Sequence, residues 1–341
     1  MRNFYNALRF IICCQFPDHK NIDVSNIVLP IGDDFLNAVV YQKPENYPRG
    51  TILAIHGMSV TGNRDPRLVN VCKALAACGY MVISPLYPDI QEFLIKEKTV
   101  YTIAKTIENI TRNPALCPIG KISIFSASFS AGMSIIAATQ PETRELVKAI
   151  CAIGTYSNVE TSVEFLLRRQ DNDEYGRLIV LRNFIHYSIG PSADLSEALR
   201  VAILDNGHCR EEPELPALLS TLPHDVRRIF TRLQSESAYR WYHWKRICSP
   251  AKGINGMLKR LSTVSSIDSL RAAVALVHGA DDRVIPPSES VMLHRRLREC
   301  KKKSRLSLTP AISHGDTALT ASMIPGLFDL TGTFAFFFKH A

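Results

Sequence analysis

Apolar residues follow two rhythms along this chain. "IDVSNIVLPI" and "FLNAVVYQK" are extended runs separated by "GDD", a hairpin pattern. After the turn-rich "PENYPRG", "TILAIHG" is a short continuous apolar run ending in glycine, as expected of a strand buried on both faces of a parallel sheet. "RLVNVCKALAACG" has helical spacing with a glycine stop, and "YMVISPLYP" reads as another buried strand. Helix and strand alternate again through "TVYTIAKTIENITRN", "KISIFSAS", "SAGMSIIAATQ" and "VKAICAIG". That alternation predicts an α/β fold with a doubly wound, mostly parallel sheet.

The rhythm stops over residues 156–271, where helical stretches, prolines and polar turns carry no convincing strand. It resumes at "AAVALVHG", followed by the helix "SESVMLHRRLREC", the strand "SRLSLTP" and a last helix near "LFDLTGTFAFFFK". A bare loop of that length would leave buried backbone without partners. The expected organisation is an N-terminal segment (1–20), a core built from 21–155 and 272–341, and a helical cap over 156–271.

Composition bounds the function. With 341 residues, 46% of them apolar, the chain can bury a substantial core. Its formal charge of +8 comes partly from clusters such as Arg295 to Arg298 and Lys301 to Lys303. These sit in or beside amphipathic helices and read as solvated faces, the rival being attraction to an anionic membrane or substrate. Zinc-ligand spacing and nucleic-acid signatures are missing, so no nucleic-acid partner is expected. Nine cysteines scattered without a regular framework suggest reduced thiols and a cytoplasmic protein. No apolar run reaches the roughly 18 residues a spanning helix needs, and the start lacks a cleavage pattern. Cys13 and Cys14, beside "RFII", leave two readings for residues 1–20: a packed helix, or an acylated segment touching a membrane surface.

In open α/β sheets, ligands collect at the carboxyl ends of the strands. After "KISIF" comes Ser126-Ala127-Ser128-Phe129-Ser130. With Ser128 at its centre, this strand-to-helix turn resembles the G-x-S-x-G nucleophile elbow of the α/β-hydrolase family, with serine at both glycine positions. Those serines add side chains where the turn is tightest. "VALVHGADDRVIP" resembles the family's late acid strand, which makes Asp282 the acid and Asp281 its neighbour. "LTPAISHGDTAL" resembles the catalytic histidine loop, with His314 as general base. The chain order Ser128, Asp282, His314 is also that of the family.

The resemblance implies further roles. Backbone N–H groups of Phe129 and of Met58, in "AIHGMSVTG", would form the oxyanion hole, with His56 and Gly57 supporting that loop. The cap would lie between the sixth and seventh strands, where the family carries its lid. Its segment "SAYRWYHWKR" concentrates Tyr239, Trp241 and Trp244, which either pack the cap or line an acyl pocket. The implied activity is that of a serine hydrolase. It would cleave a carboxylic ester or thioester, small or lipid-like, through an acyl-enzyme on Ser128, with no metal or organic cofactor. Two alternatives stay open. One is a catalytically silent ligand-binding protein of this fold, for which Ser126 and Ser130 are the best argument. The other is an acyltransferase or lipase acting at a membrane surface.

Overall fold

The computed structural model describes residues 2–16, 21–32, 34–44, 47–207, 211–310 and 324–341. An N-terminal helix, α1 (Arg2–Gln15), precedes a hairpin of β1 (Asp23–Ile31) and β2 (Asp34–Gln42). The alternating part then runs β3 (Thr51–Ile55), α2 (Pro66–Ala77), β4 (Met81–Pro85), the single turn α3 (Pro88–Gln91), α4 (Glu97–Arg112), β5 (Ile122–Ala127), α5 (Ser128–Ala137) and β6 (Val147–Ile153). After the cap come β7 (Ala273–Gly279), α14 (Pro287–Glu299), β8 (Ser304–Thr309) and α15 (Ile324–His340).

The strands form one sheet in the order β1-β2-β4-β3-β5-β6-β7-β8. β2 runs antiparallel to both its neighbours, whereas β4 through β8 are mutually parallel. Every residue of β3, β4 and β7 is buried, which is why these strands read as continuous apolar runs. Their successive side chains nevertheless divide between two cores. Leu53 and Ile55 join the face covered by α4, α5, α14 and the cap, while Ile52 and Ala54 join Phe10, Leu75 and Phe337 under α1, α2 and α15. Burying a side chain of this size contributes about 1.5–3 kcal/mol. Both helical layers are therefore held by the period-2 alternation of the strands.

The cap lies between β6 and β7 and comprises α6 (Val159–Arg168), α7 (Glu174–Phe184), α8 (His186–Ile189), α9 (Ala193–Asn206), α10 (Leu215–Thr221), α11 (His224–Ser235), α12 (Ser237–Ile247) and α13 (Asn255–Arg260). Several of these helices are started by side chains that accept a first-turn N–H: Asn158 for α6, Asp173 for α7 and Ser192 for α9. Inside the cap, the buried Arg240 guanidinium donates to the carbonyls of Leu167, Leu233 and Gln234 and to Gln170 Oε1. Trp244 packs edge-on against Phe184, with ring centroids 5.8 Å apart. None of the described helices is long and apolar enough to cross a membrane.

Candidate active site

Parallel strands put their carboxyl ends on one edge of the sheet, and the loops after β3, β5, β6 and β7 meet there. At the end of β5 the chain turns into α5 within a single residue. That residue is Ser128, half-buried, with φ of 57°. A side chain in this left-handed region crowds its own backbone, at a cost of about 1–2 kcal/mol. Ser126 and Ser130 flank it without positive φ and are fully buried. Ser126 ends its role in the strand, its hydroxyl finding no partner. Ser130 is the third residue of α5, and its hydroxyl donates to the His56 carbonyl at 2.6 Å. The glycine that close packing demands comes later, at Gly132, where an added Cβ would lie 2.4 Å from the Tyr156 ring.

Helix α5 starts without a side-chain cap, in contrast to α6, α7 and α9. The N–H of Phe129 therefore has neither an intrahelical acceptor nor a capping oxygen, and it lies at the positive end of the helix dipole. The Phe129 ring stacks on Tyr156 with centroids 4.7 Å apart.

β3 pairs directly with β5, so the loop carrying His56, Gly57 and Met58 adjoins the elbow. The Tyr87 N–H donates to His56 Nε2 at 3.0 Å, which leaves the ring proton on Nδ1, and Nδ1 donates to the Gly57 carbonyl at 2.9 Å. Burial lowers the His56 pKa to about 4, consistent with a neutral imidazole. Met58 is held from above: the Tyr175 hydroxyl, on cap helix α7, donates to its carbonyl at 2.7 Å.

Past β7, Asp281 is exposed, whereas Asp282 is only 7% exposed. Asp282 Oδ1 accepts the N–H groups of Val284 at 2.8 Å and Ile285 at 3.0 Å. Its Oδ2 lies 3.4 Å from His278 Nε2 and faces Gly154, at the end of β6. Two backbone donors suit an ionised carboxylate kept at one orientation. His314 lies outside the described residues; the chain leaves β8 at Thr309, on the same edge as β7.

The structure thus brings the elbow serine, the His56–Met58 loop and Asp282 to one rim. The contacts of the α12 aromatics are instead with other parts of the cap. Among the described residues, Tyr239 lies under Arg232 and against His243, Trp241 lies under Arg168, and Trp244 meets Phe184, all cap neighbours. Sequence reasoning missed Tyr175, which no motif marks and which is 117 residues from its partner. It also missed the bond made by Ser130, although the departure from glycine was the visible sign of it.

The chain has the α/β-hydrolase fold, with a helical insert between β6 and β7. Among solved structures it is similar to a hyperthermophilic esterase from the archaeon Pyrobaculum calidifontis (TM-score 0.54, 14% identity, covering 98% of this chain and 90% of the esterase). It is similar also to an acylaminoacyl peptidase from Pyrococcus horikoshii (TM-score 0.55, 14% identity, 94% of this chain and 41% of that one). A third match is Porphyromonas gingivalis dipeptidyl peptidase 4 (TM-score 0.54, 10% identity, 94% and 36%). The chain therefore spans about two fifths of the length of these peptidases. No protein-family model matches the sequence, and no curated protein matches it.

Proposed function

We propose that the protein is a serine hydrolase that cleaves a carboxylic ester or thioester through an acyl-enzyme on Ser128. The observation that carries this reading is the left-handed backbone of Ser128 at the β5–α5 turn. A serine is kept in a strained conformation that presents its hydroxyl at the sheet rim, next to an uncapped helix start.

In the proposed reaction, His314 takes the Ser128 proton as Oγ attacks the acyl carbon. The oxygen that becomes negative is stabilised by the N–H groups of Met58 and Phe129, at about 3 kcal/mol each. Collapse breaks the bond to the leaving group, which receives the proton from His314. Water then attacks the acyl-enzyme with His314 as base, releasing the acid and restoring Ser128. Asp282, held by two backbone donors, orients His314 and stabilises its charged form. An ester is favoured over a peptide because the similar esterase is matched over nearly its whole length.

The test is labelling of purified protein by a fluorophosphonate probe, with Ser128→Ala as control. Selective loss of labelling in the variant is expected, together with a p-nitrophenol burst from short and medium acyl esters. Equal labelling of both proteins would remove Ser128 from the role, and no labelling with no burst would favour a ligand-binding protein on this fold.

A second reading, action on lipid esters at a membrane surface, is supported by α1. Its inner face, with Ala7, Phe10 and Ile11, is buried, while Phe4, Leu8, Ile12 and Phe16 form an exposed apolar stripe at i, i+4 spacing. α1 carries Arg2 and Arg9 and no carboxylate, which favours an anionic bilayer. Sedimentation with anionic vesicles should be lost when the four stripe residues become serine. Retention would exclude α1 as the contact.

A further inference from the structure

Three successive carbonyls of the loop after β3 are each held by a donor. The His56 carbonyl accepts from Ser130 Oγ at 2.6 Å, the Gly57 carbonyl from His56 Nδ1 at 2.9 Å, and the Met58 carbonyl from the Tyr175 hydroxyl at 2.7 Å. A peptide unit is planar and, here, trans, so the direction of each C=O sets the opposite direction of the next N–H. The bond at the Gly57 carbonyl therefore aims the Met58 N–H, and the bonds on either side prevent the neighbouring planes from turning. Such ties are needed because Gly57 has no side chain and open space around its Cα, so its peptides can flip with little steric resistance.

Two of the three donors come from outside the loop. Ser130 belongs to the elbow helix and occupies a position where the α/β-hydrolase motif has glycine. Tyr175 belongs to the cap. We infer that Ser130 and Tyr175 are positioning residues that clamp the loop from below and above so that the Met58 N–H points at the developing oxyanion, and that Tyr175 makes this alignment depend on how the cap is seated. The inference rests on the serine-hydrolase reading for its catalytic consequence, but the clamp itself is a property of the loop. The Ser130 hydroxyl is then a working part of the elbow, and restoring the motif glycine should harm the enzyme.

The experiment uses the full chain with Ser130→Gly, Ser130→Ala and Tyr175→Phe. Tyr175→Phe deletes one oxygen and keeps the ring that packs edge-on against Phe93, so it tests the bond without emptying the site. With p-nitrophenyl esters, each variant should show kcat about 10-fold lower at unchanged KM, less than the roughly 100-fold or more that loss of an oxyanion donor itself costs. Affinity for an alkyl boronic acid, which forms a tetrahedral anion on the serine, should fall by the same factor. Hydrogen exchange over residues 56–61 should speed up in all three. An unchanged or increased kcat in Ser130→Gly, or a KM rise at constant kcat in Tyr175→Phe, would overturn the inference while leaving the serine-hydrolase reading intact. If the wild type neither labels nor turns over, that reading fails by itself, and the exchange measurement alone decides: equal exchange in wild type and variants refutes the clamp, and faster exchange in the variants upholds it.

Discussion

Replacing Ser128 by glycine should make the protein more stable as it abolishes labelling. At φ of 57° an L-residue holds its Cβ too close to the backbone, at about 1–2 kcal/mol. Glycine removes that cost but gives the unfolded chain more freedom, which takes back about 0.4–1 kcal/mol. The Ser128 hydroxyl makes no hydrogen bond to any described residue, so among those residues the exchange gives up no bond. The net expectation is a gain of about 0–1.6 kcal/mol, with a midpoint of about 0.8 kcal/mol, or a rise of roughly 1 °C in Tm for a chain of this size. Ser128→Ala is the informative partner, because alanine keeps the Cβ and hence the strain. Urea unfolding followed by circular dichroism at pH 7 and 25 °C would order the three proteins. Glycine should be the most stable, with alanine close to wild type, although both variants lose the nucleophile. If Ser128→Gly is no more stable than Ser128→Ala, the turn is not strained at this residue and the main support for Ser128 as nucleophile is lost.

Gly132→Ala should cost about 1–3 kcal/mol, since its Cβ would fall 2.4 Å from the Tyr156 ring and one of the two must move; thermal unfolding reads this directly. Asp282→Asn should reduce kcat by about 10⁴-fold with the fold retained, because an amide cannot stabilise the charged histidine; activity within tenfold of wild type would exclude Asp282 as the orienting acid. His56 should make stability fall with acid. Its folded pKa is near 4 against an ordinary value of 6.5, so between those values the unfolded chain binds more protons. Stability from this source is complete above about pH 6.5, is lost as pH drops toward 4, and amounts to at most about 3 kcal/mol. Urea titrations of wild type and His56→Asn across that window should differ in slope, the variant being flatter.

The core was legible because its signals are local. β3, β4 and β7 are buried on both faces, and such strands have to be continuous apolar runs. The cap was visible as an interruption of that rhythm, since helices without intervening strands cannot extend a parallel sheet. The motif's spacing marks Asp282 rather than Asp281, and Asp282 is the one of the two that the turn buries. The α12 aromatics were different. Their clustering is plain in the sequence, but which surface they meet depends on how α12 sits against α6 and α8, and no local pattern encodes that. The link from Tyr175 to Met58 is hidden for the same reason: a single hydroxyl bridging two elements leaves no periodicity. His314 lies outside the described residues, so its expected place rests on the resemblance.

The two serines flanking Ser128 were the strongest argument against catalysis, and their surroundings weaken it. Glycine at an elbow can be required for backbone conformation or for space. Conformation is not the reason here, because neither Ser126 nor Ser130 has positive φ. Space is provided elsewhere, by Gly132 beneath Tyr156 and by the small Ala127 and Ala131. Ser126 continues the strand and places its hydroxyl in the interior without a partner, a local cost that does not alter the turn. Ser130 offsets the burial of its hydroxyl with a 2.6 Å bond to the His56 carbonyl, which joins the elbow helix to the neighbouring loop. On the proposed serine-hydrolase reading, the strained Ser128 supplies the nucleophile and the Ser130 bond helps hold the neighbouring loop. On that reading, the departure from the motif is a different way of holding the same geometry, and the Ser130→Gly variant tests it.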